Sequence, residues 1–117
     1  MLQAAQLDAE DRAFKALGHR DRRSILRVIG DGEVAVTDVV AGTELDQPVV
    51  SQHLKVLRTA GLVTVRADGN RRLYSVDFGA IGDLRRFLET FWATKLGALK
   101  AVAEAQPSGG ESPEVAQ

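Results

Sequence analysis

The stretch DQPVVSQHLKVLRTAGLV (residues 46–63) has the pattern of one amphipathic helix followed by a strand. At about 100° per residue, one stripe of this helix is apolar and consists of Val50, Leu54 and Leu57. The opposite face carries Pro48, Ser51, Gln52 and Lys55. Asp46 is a favourable N-cap residue, and Gly61 suits the left-handed conformation that ends a helix. We therefore predict a helix from about Gln47 to Ala60 that buries its apolar stripe and leaves its polar face free.

Three further helical segments precede this stretch. Residues 7–18 (LDAEDRAFKALG) form the first predicted helix, with Asp8 as its cap and Gly18 as its terminator. Residues 21–32 (DRRSILRVIGDG) form the second, and the final Asp-Gly is its predicted stop. A short third helix is predicted from Thr37 to near Gly42. This third helix and the helix predicted from about Gln47 therefore meet across the tight turn GTELD (residues 42–46).

A hairpin and a long helix follow the stretch. Residues 62–76 (LVTVRADGNRRLYSV) alternate apolar and polar residues on either side of Asp68-Gly69-Asn70, which predicts two strands joined by a tight turn. A long helix is predicted from about Gly79 to Glu104. Its wide apolar stripe consists of Leu84, Phe87, Leu88, Phe91, Trp92, Leu99 and Val102.

The length and composition favour one small domain. The chain has 117 residues, of which 44% are hydrophobic, which is enough for one core. We predict a folded domain over residues 1–105 and a disordered tail over residues 106–117, which are rich in Pro, Gly and Ser. Neither a secretion signal nor a membrane span is indicated, so a cytoplasmic location is expected.

The net charge of −1 hides an uneven distribution. Residues 46–76 carry an excess of three positive charges, from Lys55, Arg58, Arg66, Arg71 and Arg72 against two aspartates. A basic segment of this kind is compatible with a nucleic-acid partner, although the whole chain is slightly acidic.

The order helix, helix, short helix, turn, helix and basic hairpin is that of a winged helix-turn-helix, a mostly α (α+β) fold. In such a fold the second helix of the pair enters the DNA major groove. Gln52 can bond adenine, Ser51 can reach a base or a phosphate, and Lys55 supplies charge for the backbone. Arg71 and Arg72 would form the wing's contact with phosphate or the minor groove.

Three segments together resemble the ArsR/SmtB-type bacterial repressors: FKALGHRDRRSILRVI, VVSQHLKVLRTAGLV and ADGNRRLYSV. The resemblance covers roughly residues 12–104. It implies a homodimeric transcriptional repressor that binds an inverted-repeat DNA operator through the helix 47–60 and the wing 66–74. It assigns groove contacts to Gln47, Pro48, Ser51 and Gln52, and wing contacts to Arg71 and Arg72.

The resemblance also implies that the first and last helices form the dimer interface. The apolar stripe of the last helix is wider than a small domain's core requires, and the first helix adds further apolar surface. The predicted interface residues are Leu7, Phe14, Leu17, Leu88, Phe91, Trp92 and Leu99.

Metal sensing is not expected. The chain has no cysteine and two histidines, and the predicted last helix contains neither residue type, so the ligand sets of metal-sensing relatives are missing. His19 and His53 lie in different elements, and we expect no three-ligand site around either. The chain thus resembles the non-metal branch, which has no cofactor, and in which a small-molecule effector, a partner protein or no effector controls DNA binding.

Other interpretations remain open for the domain and for single residues. The alternative function is a winged-helix module for protein–protein interaction without specific DNA binding. An enzyme is not expected, because the sequence shows no nucleophile with a nearby base, no phosphate-binding loop and no paired-carboxylate site. His53 lies at the border of the apolar stripe and is interpreted as a half-buried structural residue. The exposed polar residues could also form an ordinary solvated surface.

Overall fold

The computed structural model describes residues 2–105, and the tail predicted to be disordered, residues 106–117, lies outside this part. The described elements, in chain order, are α1 (Leu2–Leu17), α2 (Arg20–Ile29), β1 (Val34–Ala35), α3 (Val36–Thr43), α4 (Gln47–Thr59), β2 (Val63–Asp68), β3 (Arg71–Val76) and α5 (Phe78–Ala105). Residues 2–84 form one compact unit and residues 85–105 belong to a second.

The core of the first unit is built around α4. Its three predicted apolar residues are fully buried, with at most 1% of each exposed to solvent. They pack in one cluster with buried residues of the other elements, among them Ala16, Ile25, Ile29, Val39, Leu62 and Leu84. The helix ends at Thr59, and Gly61 follows with a φ of 81°, so the predicted helix and its terminator are confirmed.

The first helix differs from its prediction at its start. α1 begins at Leu2, so Asp8 lies within the helix and does not cap it. The preceding residues are alanine, glutamine and leucine, which are good helix formers and allow the helix to extend upstream. α1 ends at Leu17, as Gly18 predicts, and buries Ala13 and Ala16 against the core.

The start of α2 is joined to the end of α1 by two arginines. Arg22 Nε donates a hydrogen bond to the Ala16 carbonyl oxygen (2.7 Å), and Arg23 Nη1 donates one to the Leu17 carbonyl oxygen (2.7 Å). The last carbonyls of a helix lack partners within the helix, so guanidinium donors satisfy them well. α2 ends at Ile29 and is capped by Gly30, with a φ of 60°, slightly before the predicted Asp-Gly stop.

The sheet has three strands in the described chain, in the order β1-β3-β2, and the prediction of a two-stranded hairpin was incomplete. β1 pairs with β3 in antiparallel register, Val34 opposite Tyr74 and Ala35 opposite Leu73. Two residues are too few to show a strand periodicity, so this strand could not be recognised in the sequence. The short strand attaches the wing to the start of α3.

The helix α5 extends over nearly the predicted range. The Asp77 side chain accepts a hydrogen bond from the Ala80 N–H at its start (3.1 Å). Between residues 2 and 105, no helix combines the length and the apolar character that a membrane span requires.

Candidate nucleic-acid interface

The exposed face of α4 carries the predicted groove-reading residues. All of them are exposed to solvent: Gln47, Pro48, Ser51, Gln52 and Lys55. Asp46 is the N-cap, although its side chain makes no capping hydrogen bond, and the proline lies in the first turn. Because the buried stripe anchors the helix, the polar face is presented on a rigid element. This geometry suits contact with base edges in a major groove.

A groove between α1 and α4 adds basic residues that the sequence reasoning missed. It has a volume of about 430 Å³ and is lined by Arg12, Lys15 and Arg22 together with Gln52 and Lys55 of α4. Lys15 also forms an ion pair with Asp11 at 3.3 Å. The positions in α1 are distant in sequence from the basic segment, so only the packing of α1 on α4 places them beside it.

The wing is the β2–β3 hairpin. Its two-residue loop contains Gly69, with a φ of 63°, and Asn70, which matches the preference for glycine at the first central position of a type II′ turn. Arg71 and Arg72 are both exposed, but successive residues of a strand point to opposite faces. Arg71 lies 3.7 Å from the Asp68 carboxylate, its partner across the turn. The two arginines therefore serve different sides of the wing.

Arg66 is neutralised by a residue outside the basic segment. Its Nε and Nη2 donate hydrogen bonds to the two carboxylate oxygens of Glu33, at 2.7 and 2.8 Å. The hydrogen bond from Arg66 holds the pKa of Glu33 below its ordinary value, and the same bond raises the pKa of Arg66. The local excess of positive charge is thus smaller than the sequence count indicates, and the positive charge outside the ion pairs of Arg66 and Arg71 lies on Arg72 of the wing and on Lys55 and Arg58 of α4.

His53 is half-buried, as the wheel predicts, and belongs to a cluster at the start of α2. Its Nδ1 lies 3.5 Å from Arg22 Nη1, and its Nε2 lies 4.0 Å from the Asp21 carboxylate. Burial lowers the pKa of His53, assisted by the nearby His19 and Arg22 and opposed by Asp21.

The expectation that no three-ligand group surrounds a histidine is wrong. His19, Asp21 and His53 each place a ligand atom within 4.8 Å of the other two. The two rings lie 4.6 Å apart, centroid to centroid. His19 is the N-cap of α2, while His53 is on α4, so the fold joins residues that are 34 positions apart in the sequence.

The second unit carries an exposed apolar stripe on α5. Among its predicted interface residues, Phe91 and Trp92 are each 62% exposed. Leu88 and Leu99 are exposed as well. The ring of Phe91 packs edge-on against that of Phe87, with centroids 5.3 Å apart. In α1, Leu7 is exposed, whereas Phe14 and Leu17 are half-buried and pack against the core of their own unit.

A helix anchored by its apolar face, placed after a short helix and a tight turn and followed by a β-hairpin, defines a winged helix-turn-helix regulator. The family described as "Bacterial regulatory protein, arsR family" matches residues 19–65. The chain is 42% identical over 86 residues to the HTH-type transcriptional regulator Rv2034 of Mycobacterium tuberculosis (strain ATCC 25618 / H37Rv), covering 74% of this chain and 80% of that protein. The chain belongs to the arsR family, and the resemblance found in the sequence is confirmed.

Two further similarities agree with this assignment. The arsenical resistance operon repressor of Staphylococcus aureus is 33% identical over 71 residues, which cover 61% of this chain and 68% of that protein. The solution structure of the homodimeric winged helix-turn-helix DNA-binding domain Mb0332 from Mycobacterium bovis is similar with a TM-score of 0.62 at 30% identity. That similarity covers 85% of this chain and 89% of the other, and it confirms the predicted fold class.

Proposed function

We propose that the chain is a homodimeric transcriptional repressor that binds an inverted-repeat DNA operator through α4 and the wing. The observation that carries the proposal is the division of α4 into a fully buried apolar stripe and an exposed polar face. The relatives named above support it, because one is a repressor and another is a homodimeric DNA-binding domain.

The proposed roles follow from the chemistry and place of each side chain. Gln52 reads a base edge, since an amide can bond the N6 and N7 atoms of adenine together. Ser51 and Gln47 lie on the exposed face near the start of the helix and contact bases or phosphates. Pro48 makes apolar contact, and Lys55 contributes charge toward the DNA backbone. Arg71 and Arg72 bind phosphate or the adjoining minor groove from the wing.

The proposed dimer buries apolar surface that is exposed in the single chain. From α5, this surface is supplied by Leu88, Phe91, Trp92 and Leu99. From α1, it is supplied by Leu7, which is exposed, and by the accessible parts of the half-buried Phe14 and Leu17. A two-fold axis that pairs these surfaces also relates two copies of α4, which is what an inverted repeat requires.

The proposal includes three further statements. The protein works in the cytoplasm, where bacterial DNA is located, and it catalyses no reaction. No cofactor takes part in operator binding. A small-molecule effector or a partner protein controls operator binding, or else the repressor acts without either.

The test is a fluorescence-anisotropy titration of the full chain at low and at physiological salt. One labelled duplex carries the region upstream of the protein's own gene, and the other is a random duplex of equal length. We expect a Kd of about 10⁻⁸ to 10⁻¹¹ M for an operator and at least roughly 10³-fold weaker binding to the random duplex. Because all DNA attracts a basic surface, a DNA-binding protein also binds the random duplex at low salt.

The alternative function gives a different result. A winged helix that binds only another protein would show no measurable affinity for either duplex, even at low salt. That outcome would overturn the proposal and leave the protein-interaction module.

A further inference from the structure

We propose that His19, Asp21 and His53 form a binding site for a divalent transition-metal ion such as Zn²⁺, joining the start of α2 to α4. This site is additional to the DNA-binding function. All three residues belong to the same compact unit, and their ligand atoms lie within 4.8 Å of one another. The group includes both histidines of the protein, His19 and His53.

Two imidazoles and one carboxylate form a donor set that suits Zn²⁺ and similar first-row ions. Zinc binds imidazole nitrogen and carboxylate oxygen at about 2.0–2.2 Å, so ligand atoms around a tetrahedral ion lie about 3.3–3.5 Å from each other. The 4.0 Å between His53 Nε2 and the Asp21 carboxylate is therefore already close to the required spacing. The remaining distances must shorten by movement of the His19 and Asp21 side chains, of which the first is exposed and the second half-exposed.

The contacts of the two rings show which of their nitrogens are already engaged. His19 Nδ1 accepts a hydrogen bond from the Asp21 backbone N–H at 3.2 Å, and His53 Nδ1 faces the Arg22 guanidinium at 3.5 Å. In His53 the nitrogen that faces the Asp21 carboxylate is Nε2, at 4.0 Å, so this atom is the metal-binding nitrogen of that ring. A neutral imidazole that binds through Nε2 carries its proton on Nδ1, so metal binding at His53 Nε2 requires the proton to move to Nδ1 and the contact with Arg22 to be lost.

The surroundings set the selectivity of the site. Three protein ligands leave at least one coordination position for water, as in open zinc sites. Mg²⁺ and Ca²⁺ prefer oxygen ligands and gain little from two imidazoles, so they should not compete. The positive charge of Arg22 beside His53 opposes the binding of any cation. The hydrogen bond from Arg22 Nε to the Ala16 carbonyl oxygen (2.7 Å) keeps this guanidinium in place.

The experiment measures metal binding directly on the tag-free full chain, without DNA. Zn²⁺ binding is followed by isothermal titration calorimetry, and Co²⁺ binding by the visible absorption of the ion. We expect one ion per chain, release by a chelator, and no binding of Mg²⁺. Each of His19→Gln and His53→Gln should weaken Zn²⁺ binding at least about tenfold, as should Asp21→Asn.

The matched control is Asp31→Asn, which removes an exposed carboxylate in the loop after α2 and should leave Zn²⁺ affinity unchanged. Circular dichroism verifies the fold of each variant, and His19→Gln, at an exposed position, keeps the test valid if the half-buried His53 proves necessary for folding. Absence of saturable binding at one ion per chain, or equal affinity in His19→Gln and the unchanged protein, would overturn the site. Neither result bears on the proposed DNA binding, which is measured separately.

Discussion

Gln52 offers the sharpest test at the scale of a single residue, because its side chain is exposed between two fully buried positions of α4. We expect Gln52→Ala to cost about 1–3 kcal/mol of binding free energy for the operator and to leave random-DNA binding almost unchanged. A base contact distinguishes sequences, whereas a phosphate contact does not. Parallel anisotropy titrations with both duplexes measure the difference.

Lys55→Ala is the comparison variant on the same face of the helix. Removing a charge that contacts phosphate should weaken binding to both duplexes by a similar factor. Equal losses on the two DNAs for Gln52→Ala as well would show that Gln52 reads no base.

Glu33 provides a prediction on pH at the same scale. Its pKa is lowered in the folded protein, so the carboxylate bonded to Arg66 stabilises the fold above the ordinary glutamate pKa. This stabilisation is lost as the pH falls through the lowered pKa. Thermal unfolding of Glu33→Gln and the unchanged protein, from about pH 7 to about pH 3, should therefore show a difference in Tm at neutral pH that disappears in acid.

The difference in Tm at neutral pH should be small and sensitive to salt, because the side chains of Glu33 and Arg66 are both exposed. Glu10→Gln replaces a half-exposed glutamate in α1, for which no ion pair with an arginine is found in the described chain, and it serves as the control that should show no such pH-dependent difference. A Tm difference that grows as the pH falls would contradict the assigned role of the ion pair.

Single residues differ in how far the sequence predicts them. The buried stripe of α4 and the terminators Gly18 and Gly61 were correct, because they depend on local periodicity and backbone conformation. The cap at Asp8 was wrong because the residues before it also favour a helix. The cluster of His19 with His53 could not be foreseen, since only the packing of α2 against α4 brings the two rings together.

At the scale of elements, the wing tests the phosphate contacts. The variant Arg71→Ala/Arg72→Ala should weaken binding to operator and random DNA alike, and it should flatten the dependence of log Kd on log salt by up to about 2. Each phosphate contact contributes about 0.9 to that slope through counterion release. Anisotropy titrations over a series of salt concentrations measure it.

Arg66→Ala is a matched control within the same hairpin. This arginine is exposed but engaged by Glu33, so its loss should change the salt slope little. An unchanged slope in the double variant would remove the wing from the DNA footprint. The single variants then identify the contributing face, because Arg71 and Arg72 project from opposite sides of β3.

The elements themselves were largely predictable from the sequence. Apart from the start of α1, the long helices were placed within a few residues, and the Asp-Gly-Asn turn identified the hairpin. β1 was missed because two residues carry no periodic signal, and its identity depends on pairing with β3. The contribution of α1 to the basic groove was also missed, because the spacing of residues within one segment does not predict which helices pack together.

At the scale of the whole molecule, the exposed apolar stripe of α5 leads to a prediction about assembly. Trp92→Glu places a charge in the middle of the proposed interface, so we expect the variant to sediment as a monomer and to lose most of its operator affinity. Because Trp92 is 62% exposed in the single chain, circular dichroism should still show a folded protein.

Thr90→Glu adds the same charge at an exposed position on the opposite face of α5, so it should leave the dimer intact. Two recognition helices related by a two-fold axis lie about 34–36 Å apart, so the operator half-sites should be centred about one helical turn apart. An unchanged protein that sediments as a monomer at micromolar concentration, yet binds its operator tightly, would contradict the dimer.

The contacts of Arg22 have a consequence for how this protein can change during evolution. Its guanidinium bonds the carbonyl oxygens of Ala16 and Lys15, which are backbone atoms that every residue type supplies. Substitutions on the outer surface of α1 can therefore accumulate, and alter what that surface recognises, while the anchor to α2 persists. The constraint falls on Arg22 itself, because a lysine cannot reproduce its fork of donors.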